Sequence, residues 1–200
     1  RALAYHLYEN NGVVKRDEVL NYLNKLNQDD RRKLRNLGVK FGRYHVFLFR
    51  LFKPSSVSLR ILLWKNFNEK NFDFLPPTFG LNFLEEKVKL NKNLMLLSGF
   101  EKFENLYVRI DILERLFLMI FNTKSEDKIK EIKLIPEMLN LLGCNKENFV
   151  KLIKKMNYKT YEKNNNLHFK YIPIRRTIKK NNNKTINDNP FNVLSQLNLK

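Results

Sequence analysis

Apolar positions recur at helical spacing along most of the chain and close into continuous runs in a few short windows. Ala2, Leu3, Leu7 and Tyr8 make one apolar face over Arg1–Glu9, and Asn11-Gly12 supplies the stop. Val19, Leu20, Leu23 and Leu26 predict a second helix over Asp17–Leu26. Asn27 is placed to cap a third, with Asp29 and Asp30 in its first turn and Gly38 at its end. From Arg43 to Phe49 the chain is apolar or aromatic on both faces, as in a buried strand. Pro54 suits the first position of a helix ending near Asn66, and residues 67–80 read as a Phe- and Pro-containing loop.

Residues 91–172 have a different rhythm. Leu113, Leu116, Phe117 and Ile120 predict an apolar helix over Asp111–Phe121, and Glu131–Ile135 alternates like a short strand. Pro136–Leu142 reads as a short helix broken by Gly143-Cys144-Asn145, and Lys146–Met156 as another. Tyr158–Glu162 and Leu167–Tyr171 read as two strands joined by a turn at Lys163-Asn164-Asn165-Asn166. Helix, strand, helix, turn, helix, hairpin is the element order of a winged helix-turn-helix. The expected fold is therefore mainly α with small β elements. It comprises a helical accessory region over residues 1–80, a winged-helix-like nucleic-acid-binding domain over 81–172, and a basic disordered linker with a short amphipathic segment over 173–200. In that last segment Phe191, Leu194 and Leu197 are the anchors; no internal repeat is visible along the chain.

Composition sharpens the functional side. Lys plus Arg number 38 against 20 acids, a formal charge of +18, which favours a polyanionic partner, RNA or DNA before an acidic membrane. Much of that charge is lysine in a chain also rich in asparagine, so arginine clusters carry more information than lysine counts. The single Cys144 excludes an internal disulfide and suits the reducing cytoplasm. No apolar run approaches the ~18 residues of a membrane span, and no signal peptide is present. The chain opens without Met inside an expected helix, as the end of a longer protein would.

No nucleotide-phosphate loop of the form GxxxxGK[ST] or GxGxxG occurs among the six glycines. His6, His45 and His168 are scattered in apolar surroundings, as packing histidines are, and Asp17-Glu18-Val19 lacks a partner motif. The chain taken alone therefore carries no catalytic residue, no metal site and no cofactor of its own. Two binding surfaces stand out instead. Lys151, Lys154 and Lys155 share the helix face opposite Phe149, Ile153 and Met156, where phosphates could be met. Arg31, Arg32 and Arg35, with Lys40 and Arg43, form a second, and arginine forks onto phosphate oxygens in a way lysine does not.

The stretch LRNLGVKFGRYHVFLFRLFKPSSVSLRILLW, residues 34–64, resembles the C-terminal region of a bacterial, largely alphaproteobacterial, family of superfamily 2 ATP-dependent helicases. That family is related to the mitochondrial RNA-degradosome helicase. The resemblance continues through YVRIDILERL (107–116) and IPEMLNLLGC (135–144), then Asn148-Phe149, Tyr158 and Asn189-Pro190-Phe191. It departs at Phe49, Arg50 and Phe52, where the family pattern has small or polar residues, and residues 67–105 match only in outline. It implies a parent that hydrolyses ATP, with Mg, in motor domains upstream of Arg1. This chain would then be the accessory end that holds RNA or DNA and buttresses the motor. The alternative is a stand-alone winged-helix DNA-binding regulator.

Overall fold

A computed structural model describes residues 1–68, 74–86, 89–122, 131–164 and 166–172. Helix α1 (Ala2–Glu9) leads into β1 (Val13–Lys15), α2 (Leu20–Asn24), α3 (Gln28–Asn36), β2 (Val39–Phe41) and β3 (His45–Leu48). A 3-10 turn (Phe49–Phe52) and α4 (Pro54–Phe67) precede β4 (Phe83–Glu85), α5 (Lys92–Leu97), β5 (Phe100–Phe103) and β6 (Leu106–Arg109). Then come α6 (Ile110–Asn122), β7 (Glu131–Lys133), α7 (Pro136–Leu142), α8 (Lys146–Lys155), β8 (Tyr158–Lys163) and β9 (Asn166–Tyr171).

The architecture corrects the expected one. About 49% of the described chain is helical and 23% is strand, in three antiparallel three-stranded sheets. This is a mixed α and β fold, neither mainly α nor a helical region followed by a winged-helix-like domain. Residues 1–80 hold a complete sheet of their own. Its β3 is the buried strand expected over Arg43–Phe49, but β1 and β2 have only three residues each, too few for a period-two pattern to register, and β4, β5 and β6 are similarly short and were not expected.

The strand orders are β1-β3-β2, β4-β6-β5 and β7-β9-β8. Each unit thus runs helix, strand, one or two helices, then a hairpin whose last strand lies in the centre of its sheet. The repeat is one of topology, which is why no sequence period announced it. One detail recurs in all three units: the helix before each hairpin is capped by asparagine. Asn27 accepts from the Asp30 N–H at 2.7 Å, Asn91 from Asn93 at 3.0 Å, and Asn145 from Asn148 at 2.8 Å.

The central strands β3 and β6 are buried on both faces and read as apolar runs, whereas β9 buries only the Leu167 and Phe169 face. Val46 of β3 joins Leu3, Leu7, Val14, Val19 and Leu23, whereas Phe47 turns the other way onto Val13 and Ile110. The largest core packs Leu113, Leu116 and Phe117 of α6 against Met138, Leu142, Phe149, Leu152, Ile153 and Phe169. Phe149 and Ile153 are fully buried there, while Lys151, Lys154 and Lys155 are exposed, as the stripe on α8 requires. Gly143 ends α7 at φ +70°, a left-handed position that glycine adopts without strain.

Smaller departures follow from burial. Tyr8 and Leu20 point outward, and the second helix shrinks to five residues, because Asp17–Val19 turn the chain back toward β1. The linker and amphipathic segment expected over 173–200 lie outside the described residues. Among the described residues, no helix is long and apolar enough to cross a membrane.

Candidate nucleic-acid interface

In the turn between β2 and β3, Gly42-Arg43-Tyr44, the Gly42 N–H donates to the His45 carbonyl at 2.8 Å, but hairpin pairing alone would leave the N–H groups of Arg43 and Tyr44 without acceptors. A carboxylate from far along the chain satisfies them. Glu114 of α6, only 6% exposed, accepts from the N–H of Tyr44 at 2.9 Å, of His45 at 2.8 Å, and of Arg43. The His45 ring donates from Nδ1 to the same oxygen at 3.1 Å, and its Nε2 lies 3.9 Å from Glu101. A buried carboxylate with this many donors is a pin rather than an uncompensated charge. Gly42 makes room for it: a Cβ there would fall against the Glu114 carboxyl carbon and lie 2.8 Å from its Cγ. The Gly42–His45 stretch and Glu114 are thereby locked together.

The pinned turn projects Arg43 and Tyr44 into a cleft of about 410 Å³ where all three units meet. The first unit contributes Lys15, Arg16, Arg43 and Tyr44, the second Glu101 and Phe103, and the third Met156 and Tyr171. Arg16 donates from Nη1 to the Gly42 carbonyl at 2.7 Å, which fixes its guanidinium beside the turn. Lys15, with a side chain 61% exposed, sits 3.4 Å from Glu101. Burial pushes the Tyr44 phenol well above its ordinary range, and the neighbouring Tyr158 phenol adds to the shift; the Tyr158 phenol is itself raised by burial. Both hydroxyls therefore stay neutral. Tyr44 packs on Phe117 with ring centroids 4.1 Å apart, and Tyr158 meets Tyr171 edge-on at 5.2 Å.

No family model, curated protein or solved structure matches this chain.

The residues singled out from sequence fall in four places. Arg43 is in the cleft. Lys151, Lys154 and Lys155 are exposed on α8, outside the residues lining the cleft; Met156, which lines it, belongs to the opposite, apolar face of that helix. Lys155 pairs with Glu104 beside Phe103, and Lys151 reaches Asn148 at 3.5 Å. Arg32, Arg35 and Lys40 are exposed on α3 and β2, outside the residues lining the cleft; Arg35 lies over the Phe41 ring at 5.8 Å. Arg31 is engaged elsewhere. Its guanidinium bonds the carbonyls of Leu23 at 2.9 Å and Leu26 at 3.4 Å, capping the end of α2. It holds two short helices together, because those end carbonyls have no partner within the helix.

Sequence reasoning missed Lys15 and Arg16, which flank a strand too short to notice. It also missed Lys159 and Lys170, exposed and directly opposite each other in the β8–β9 register. On its other side Lys170 stands opposite Glu131 of β7, so a carboxylate flanks the pair. His45, read as a packing residue, turns out to bridge two carboxylates. Among the described residues, no group of three or more His, Cys, Asp or Glu is arranged to hold a metal ion.

Proposed function

We propose that this chain is an accessory nucleic-acid-binding region of an ATP-dependent RNA or DNA helicase, cytoplasmic, and serving motor domains of the same polypeptide. The observation that carries the binding part is the cleft, where Lys15, Arg16 and Arg43 stand beside aromatic walls, while α8 exposes Lys151, Lys154 and Lys155 outside it. Cations that meet phosphates and rings that meet bases are the two ingredients of nucleic-acid binding that does not depend on sequence. The helicase part is supported by the resemblance of residues 34–64, 107–116 and 135–144. Gly42, Arg43, Tyr44, His45 and Glu114, which build the pinned turn, all belong to the first two of those stretches. ATP and Mg belong, on this reading, to the motor domains.

Binding of the purified chain to a labelled oligonucleotide, followed by fluorescence anisotropy across a salt series, tests it. Contact with a handful of phosphates makes affinity fall on the order of tenfold or more between roughly 50 and 200 mM salt. The chain alone is expected to release no phosphate from ATP. Binding that ignores salt, or nucleic-acid-stimulated ATP turnover by this chain alone, overturns the reading.

A further inference from the structure

We propose that the cleft holds one unpaired base of a single-stranded nucleic acid, stacked on its aromatic wall, with the adjoining phosphate at the rim on Arg43. This rests on the nucleic-acid reading above and adds where, and in what form, the strand is gripped.

The volume, about 410 Å³, lies within the ~300–1,000 Å³ range of pockets that enclose small ligands. Its chemistry is divided by wall. Arg43 and Lys15 are exposed at the mouth, and Tyr171, 41% exposed, and Phe103 offer ring surface. The exposed Asp17 also lines the cleft, and Glu101 lies deeper, its side chain 16% exposed and 3.4 Å from the Lys15 ammonium. A phosphate driven inside would meet that carboxylate and be repelled. A base edge carries N–H donors that a carboxylate accepts, so the base belongs inside and the phosphate outside. A paired base in a duplex has both faces covered by its neighbours and cannot present one to Tyr171. The cleft therefore selects unpaired strand over duplex.

Anisotropy at one fixed salt concentration, with a labelled oligouridine strand and a blunt duplex of mixed sequence, decides the matter. Three variants are compared: Tyr171→Ala, Tyr171→Phe and the pair Lys151→Ala/Lys154→Ala, each first checked to melt like the parent chain. The parent is expected to prefer the single strand. Tyr171→Ala should lose roughly five- to hundredfold on the strand, the usual strength of one base–aromatic stack, and little on the duplex. Tyr171→Phe keeps the ring and should keep the affinity, whereas the lysine pair should weaken strand and duplex alike. Equal losses on strand and duplex for Tyr171→Ala, or no loss, overturn the cleft proposal while leaving the nucleic-acid reading standing. Absence of binding to either probe by the parent chain overturns both.

Discussion

Replacing Glu114 with Gln tests whether one carboxylate holds the β2–β3 turn in place. Glu114 Oε1 accepts from the Tyr44 N–H, the His45 N–H and the His45 ring, and Oε2 accepts from the Arg43 N–H. The amide of Gln can keep one oxygen facing three donors, but its NH₂ then faces the fourth. One N–H is left without an acceptor, a loss of about 1–3 kcal/mol. The remaining bonds lose their charge assistance, roughly 1 kcal/mol each where water is excluded and less at the part-buried end. A net cost of ~3–6 kcal/mol follows, a fall of roughly 6–24 °C in Tm for a chain of this size. Gly42→Ala approaches the same joint from the other side. Gly42 is not among the positive-φ residues, so alanine should ordinarily be neutral or stabilise by about 0.4–1 kcal/mol. Here all three nearest neighbours of the added methyl are atoms of Glu114, so the carboxylate must leave its donors. Gly42→Ala is therefore destabilising alone and neutral or stabilising in a Glu114→Ala background. Thermal melts of the four members of that cycle measure the coupling. Additive effects, or a Glu114→Gln melt within about 1 °C of the parent, refute the pin.

Phe149 is fully buried between α6 and β9, so Phe149→Ala should cost ~3–5 kcal/mol in a urea titration, whereas Lys154→Ala should cost almost nothing. The Lys102 ammonium, 2.5 Å from Glu86, holds that carboxyl below its usual range and is itself raised by it. Stability from Glu86 is present above its unfolded pKa of ~4.3 and lost as pH falls through the lower folded value; stability from Lys102 is present below ~10.4 and lost as pH rises through the higher folded value. Lys102→Met should flatten both edges of a Tm-against-pH curve. Burial pushes the Cys144 thiol up to about 11, so at pH 8 only about one molecule in a thousand is thiolate. Alkylation should be slow in the native chain and at least about tenfold faster in denaturant, as the pKa returns toward ~8.5.

What could be foreseen and what could not follows from element length and from distance along the chain. Pro54, Asn27, Gly143 and the apolar stripe of α8 are local signals, and they marked real element ends and a real core face. The hairpin over 158–171 was long enough to be seen from its strands and turn. The sheet containing β4, β5 and β6 was not, because Phe83–Glu85 offers only three residues and the first strand is separated from its partner, β6, by a helix and β5. The site was harder still. Lys151, Lys154 and Lys155 could be placed on one face by spacing alone. The cleft could not, since Lys15, Glu101 and Tyr171 come from separate units, and no local pattern marks a place where three units meet. Arg31 shows the converse error: a cluster of arginines looks like one surface until a helix end claims one of them.

The central position of each third strand dictates an order of assembly. As the chain emerges from the ribosome, β1 has no strand to pair with until β3 appears, two helices and a strand later; β7 waits as long for β9, and β4 waits one helix and a strand for β6. Each hairpin can close locally and quickly, after which the waiting first strand adds to its inner edge. The turn at Arg43–His45 waits longest. Its N–H groups find their acceptor only when Glu114, 71 residues after Arg43, has been synthesised, so the aromatic and cationic rim of the cleft stays unformed until the third unit has begun. A nascent chain would thus complete the cleft late, once α6 has docked and β9 has brought Tyr171 to its wall.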